Sequence, residues 1–115
     1  MKRSVDLYIS DILEYMERAK SHIKGLKFEQ FLKDGRTGDA VIRCIEVIGE
    51  ATKNIPEEIR NKYPSIPWRD IAGMRDKIIH GYFKVDFETV WLVVKKEIPR
   101  VKPMIVKVSE DLKKS

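Results

Sequence analysis

The stretch Met74-Arg75-Asp76-Lys77-Ile78-Ile79-His80-Gly81-Tyr82-Phe83 places a guanidinium, a carboxylate, an imidazole and a phenol within eight residues. Arginine offers a planar fork of donors that matches a phosphate. Histidine moves a proton near neutral pH. Tyrosine carries a hydroxyl that can bond or be modified. Together these groups suit chemistry at a phosphodiester, and Ile78 and Ile79 tie them to a core.

The spacing predicts that they sit at the end of a helix opened by Pro67, with Trp68, Ile71, Met74 and Ile78 facing inward. On that helix Asp76 and His80 are i, i+4 neighbours. His80 falls in the last turn before a stop at Gly81, where the helix dipole and Asp76 both favour imidazolium. Arg75 and His80, five residues apart, point about 140° away from each other. Either the helix loosens near Gly81, or two chains pool their groups across a two-fold axis; the second arrangement makes one composite cleft and is preferred. The same residues also fit a plainer reading, a solvated helix face with a histidine cap and a packed aromatic.

Helical spacing of apolar residues supplies the rest of the frame. Val5 to about Lys24 is the first helix, stopped by Gly25. His22 at its end has no partner pattern and is given no role. Phe28 to about Leu32 is a short helical segment, and Asp34 to Gly38 reads as a turn. Asp39 to Asn54 is the second long helix. Cys44 lies in its apolar stripe as a buried, inert thiol. Gly49 sits where only the close approach of another backbone explains a helix-interior glycine. Glu46 and Glu50 read as exposed or as partners for a basic residue. Ile55 to Arg60 restarts a short helix with Pro56 at its first position, and Tyr63 to Pro67 is a connector. Asp86 caps a helix whose apolar residues run from Val90 to Val108, with Val85 and Val90 as a hydrophobic staple. Pro99 and Pro103 predict a kink or break around Glu97 to Pro99 and a second helix from Pro99. The end, from Asp111, should fray. No segment alternates like a strand for long. The expected fold class is all-α: an antiparallel four-helix bundle with additional short helices, one domain over residues 1–115.

The 115 residues carry 43% hydrophobic and 36% charged side chains and a net charge of +5, which allows a polyanionic partner without requiring one. A single cysteine excludes an internal disulfide. No apolar run is long enough to span a bilayer, and the N-terminus lacks a signal-peptide pattern, so a cytoplasmic protein is expected. There is no glycine-rich phosphate loop, no Cys/His cluster for zinc and no nucleophile elbow. If the chain is an enzyme, a basic protein with clustered Arg, His and Tyr and no metal ligands points to metal-free phosphodiester chemistry, in which RNA supplies its own 2′-hydroxyl nucleophile.

The Arg75, Asp76, His80 and Tyr82 combination resembles the signature of HEPN domains. It is most similar to the HepT-type toxins of HEPN/minimal-nucleotidyltransferase toxin–antitoxin pairs, whose pattern is Arg, four residues, His, one residue, Tyr. Ile48-Gly49-Glu50-Ala51, Ile66-Pro67-Trp68 and Asp86 with Val90-Trp91 extend the likeness over nearly the whole chain. The resemblance implies a HEPN bundle that forms a homodimer. It implies a metal-independent endoribonuclease with Arg75 and His80 catalytic, Asp76 supporting, and neither metal nor cofactor. It further implies a nucleotidyltransferase antitoxin that places AMP on Tyr82. The alternative is a non-catalytic nucleotide- or RNA-binding module that partners such a transferase.

Overall fold

The computed structural model describes residues 4–80 and 84–114. Helix α1 (Val5–Ile23) buries Ile9, Ile12, Met16, Ala19 and Ile23, one stripe at helical spacing. It stops at Gly25, whose φ of +81° disfavours any residue with a Cβ. Helix α2 (Phe28–Lys33) buries Phe31. Helix α3 (Gly35–Lys53) begins inside the stretch expected to be a turn. The reason is a cap: Asp34 accepts the Thr37 amide at 3.0 Å and the Thr37 hydroxyl at 2.8 Å. Two glycines there disguised a helix start, and Gly38 is needed because the Phe87 ring lies over it. The predicted close approach at Gly49 is present. A Cβ at that position would stand 3.0 Å from the Ala72 carbonyl oxygen.

Helix α4 (Glu57–Lys62) is capped by Pro56, one residue earlier than its expected place inside the helix. Helices α5 (Trp68–Ala72) and α6 (Met74–Ile78) meet at Gly73 and lie on α3. Trp68, Ile71, Met74 and Ile78 are all buried, as their spacing predicts. A two-residue antiparallel pair follows, β1 (Ile79–His80) with β2 (Lys84–Val85). Helix α7 (Phe87–Leu92) runs into a π-helical stretch, Val93–Glu97, and then into α8 (Ile98–Lys114).

The chain does not break at Pro99; the expected irregularity is a π-helical stretch that ends at Glu97, and the next helix starts at Ile98, one residue before Pro99. Proline cannot donate its amide, and its ring crowds the carbonyl four residues back. Here the preceding turn is widened instead. The Ile98 amide donates to the Val93 carbonyl, five residues back, and the backbone stays helical into α8.

The bundle is antiparallel. The start of α1 (Val5, Asp6, Ile9) shares a groove with the end of α8 (Ser109, Leu112, Lys113). Further along, Glu17 pairs with Lys102, and Ile23 lies beside Val94 and Pro99. Against α3, Tyr8 and Asp11 sit beside Glu50, Ala51 and Asn54. The fourth rod of the bundle is the broken α5–α6 pair. Ile12, Ile45, Ile48, Ile71, Ile78 and Ile105 at its centre are fully buried. Each such side chain contributes roughly 1.5–3 kcal/mol by leaving water. Among the described residues no helix is long and apolar enough to cross a membrane.

Candidate active site

Arg75 stands in the first turn of α6, between two residues that anchor that helix, Met74 and Ile78. Its side chain is half exposed, and its Nε donates to Glu46 Oε2 on α3 at 3.3 Å. A second contact, from an outer guanidinium nitrogen to Asp76 Oδ1, is looser at 3.9 Å. The sequence left Glu46 as exposed or as the partner of some basic residue; it is the carboxylate that aims Arg75.

His80 is not in the last turn of a helix. Helix α6 ends at Ile78, and Ile79 is already extended, with φ −112° and ψ 115°. The Asp86 amide donates to the Ile78 carbonyl at 2.7 Å, and Ile79 and His80 pair with Val85 and Lys84. These bonds replace the helical ones that the motif was expected to make. Three expectations change with them. The helix dipole does not act on His80. Asp76 is not its neighbour, because Asp76 pairs with Arg75 while His80 Nε2 lies 3.9 Å from Asp86 Oδ2. Arg75 and His80 do not diverge on one straight helix, since Arg75 stands on α6 and His80 on β1. Gly81, the expected stop, and Tyr82, the expected modification site, lie outside the described residues.

Asp86 is thus the residue near the histidine that sequence spacing missed. Six positions separate the two, and no helical or strand period links them; only the closure of β1 on β2 does. The sequence recognised Asp86 as a cap, and it is one. It accepts the Thr89 amide at 3.0 Å and the Thr89 hydroxyl at 2.7 Å. Those bonds, the hydroxyl's first, hold its carboxyl below the usual range, and the charge of His80 adds to the effect. Asp86 is therefore a fixed anion beside an imidazole that is largely exposed. His80, Lys84, Val85, Asp86 and Phe87 line one open hollow on the surface. That hollow offers a proton carrier, an ammonium and a carboxylate to a ligand. Among the described residues no group of three or more His, Cys, Asp or Glu could hold a metal ion.

An antiparallel helical bundle that displays an arginine, a histidine–aspartate pair and a lysine on exposed edges belongs to a class able to engage a phosphodiester. The chain belongs to the HepT-like ribonuclease family: the family described as "Ribonuclease HepT-like" matches residues 12–108. Two proteins of Methanocaldococcus jannaschii are similar to it. "Putative RNase MJ1216" is 48% identical over 111 residues, covering 96% of this chain and 92% of that one. "Putative RNase MJ0125" is 49% identical over 111 residues, covering 96% of each. "Probable ribonuclease HepT" of Thermococcus cleftensis is 49% identical over 102 residues, covering 89% of this chain and 93% of that one. No solved structure matches the chain.

Proposed function

We propose that the chain is a metal-independent endoribonuclease that works as a homodimer and is silenced by AMP transfer to Tyr82. The observation that carries this reading is the exposure of Arg75 and His80, each beside a carboxylate, in a chain of this family. In the reaction the RNA 2′-oxygen attacks the adjacent phosphorus and the 5′-oxygen of the next nucleotide leaves. The products are a 2′,3′-cyclic phosphate and a 5′-hydroxyl. His80 takes the 2′-hydroxyl proton or gives one to the leaving oxygen. Arg75 exchanges Glu46 for the phosphate as charge builds on its oxygens. Asp86, rather than Asp76, orients the imidazole and offsets its positive charge. Asp76 supports Arg75. In a dimer, the second protomer's His80 would supply the complementary acid or base.

Silencing follows from charge. A nucleotidyltransferase partner would direct the Tyr82 phenol oxygen onto the α-phosphorus of ATP, releasing pyrophosphate and a proton. Each AMP left behind adds a negative charge that competes with RNA for Arg75.

The test is cleavage of total RNA with EDTA present. Wild type should cut, while His80→Ala and Arg75→Ala should each lose at least roughly a hundredfold in rate and keep the wild-type melting temperature. Normal cleavage by His80→Ala, or loss of wild-type cleavage on chelation, would overturn the mechanism. Incubation with the transferase and ATP should add mass in units of AMP to wild type and none to Tyr82→Phe.

A further inference from the structure

A second surface feature lies along the helix that Asp86 starts. Phe87 and Trp91 are one turn apart on α7, and Lys95 follows one turn later on the π-helical stretch. The Lys95 ammonium sits over the Trp91 ring, 5.1 Å from its centroid. Trp91 also meets half-buried Phe28 at 5.7 Å and buried Phe31 at 5.3 Å. Phe31 in turn meets Phe87 at 6.2 Å, and Phe87 borders the hollow that holds His80. Rings that meet at buried Phe31 therefore connect the edge of the candidate active site with Trp91 and Lys95. Beyond it, Lys95, Lys20 and Lys24 edge one further hollow, formed between the end of α1 and the π-helical stretch. No carboxylate lines that hollow. Glu17, which acts on Lys20, is itself engaged by Lys102. Among the described residues none of the three lysines belongs to an ion pair, and all three are exposed.

Trp91 packs partly against the core, but the exposed parts of these features contribute nothing to that packing. Three ammonium groups gathered with no carboxylate in a close ion pair repel one another, and half-buried Phe28 and Trp91 keep part of their surface exposed. Phosphate oxygens and base faces satisfy both at once. The span from Phe87 to Lys95 is eight residues, or roughly 12 Å of helix, the reach of a few nucleotides. We infer that Trp91, Lys95, Lys20 and Lys24 form a binding surface for single-stranded RNA flanking the scissile phosphate. Lys95, Lys20 and Lys24 grip backbone phosphates, and the Phe28–Trp91 pair receives an unstacked base. The inference rests on the reading that RNA is the substrate, but its test does not need cleavage.

The probe is a fluorescein-labelled oligouridylate of about twelve nucleotides, a length within known single-strand site sizes. It is titrated into full-length His80→Ala so that it is not cut. Replacing Lys20, Lys24 and Lys95 together by Gln should weaken binding roughly tenfold at moderate salt. The slope of log affinity against log salt should fall by about 2, since each single-strand phosphate contact contributes about 0.7. Lys95→Gln alone should give about a third of that change, and it remains readable if the triple variant folds poorly. Gln at Lys53, Lys62 and Lys113, three exposed lysines elsewhere, should leave affinity within about twofold. With His80 intact, the triple variant should raise KM and spare kcat. Unchanged affinity and slope in the triple variant would overturn the proposal. So would tighter binding to an RNA duplex than to the single strand. Unchanged RNA binding with a change from dimer to monomer would also overturn it, marking an interface between copies. If wild type bound RNA without cutting it and the lysine variant lost that binding, the surface would stand and the ribonuclease reading would fail.

Discussion

Asp34 and Asp86 begin two helices with the same device. Each is followed three residues later by a threonine whose amide and hydroxyl both donate to the carboxylate, at nearly the same distances. In both, those bonds hold the carboxyl below its ordinary range. One cap does structural work only, starting α3. The other does the same for α7 and also stands 3.9 Å from His80. The chemistry of the two caps is alike, so the difference lies in what the chain brings beside them. The two regions also touch: Gly38, one turn into α3, is roofed by Phe87, the first residue of α7. A helix cap gains a second partner when its free edge faces a titratable group, and the tertiary fold alone supplies that neighbour.

The contact between the two regions is the place where a single change should have the largest effect. A Cβ at Gly38 would lie 2.9 Å from the Phe87 ring. Helix propensity alone would make Gly38→Ala stabilising by about 1 kcal/mol. Overpacking, worth roughly 1–3 kcal/mol, should win for Gly38→Val. Thermal melts should show Gly38→Val lowered by several degrees. Cleavage should fall too, because the start of α7 carries Asp86. A raised melting temperature for Gly38→Val would show that Phe87 yields freely and that the two regions are independent.

A smaller effect should separate the caps. Asn keeps a capping oxygen for the Thr amide but removes the charge. Asp34→Asn should leave kcat for RNA cleavage unchanged. Asp86→Asn should lower it roughly fivefold, the scale of one exposed charge pair. Equal kcat losses from the two substitutions would mean that Asp86 acts only through the helix it caps.

The smallest difference should come from acid. Both carboxyls are depressed in the folded protein, so what each adds to stability is fully present above its unfolded pKa of about 3.9. It is lost as pH falls through the lower, folded value. Melting temperatures followed from pH 6 to pH 2 should therefore drop steeply below about pH 4. Asp34→Asn and Asp86→Asn should each flatten that drop by a similar amount. Glu17, Glu97 and Asp111, also held low by their partners, keep part of the slope in either variant. A flattening by only one of them would break the likeness between the caps.

The sequence by itself determined the helices and their inward faces, because a helix is a local structure whose apolar period is written in consecutive residues. The stripes of α1, α3 and α8 were legible, and so were the Asp86 cap and the close approach at Gly49. The motif was legible as a set of residue types, and its likeness placed the chain in the right family. Tertiary structure alone decided the rest, and in each case the deciding contact joined residues with no common period. The helix ends at Ile78, because the Asp86 amide and β2 take up the bonds that a longer helix would have made. Asp86 faces His80 for the same reason. Glu46 holds Arg75 across 29 positions of chain. The turn read at Asp34 to Gly38 is a helix start whose cap two glycines hid, and one of those glycines, Gly38, answers to Phe87, from the far side of the sequence, which lies over it. Pro99 did not break the last helix because a widened turn costs less than tearing Val93, Val94 and Ile98 from the core in which all three are buried.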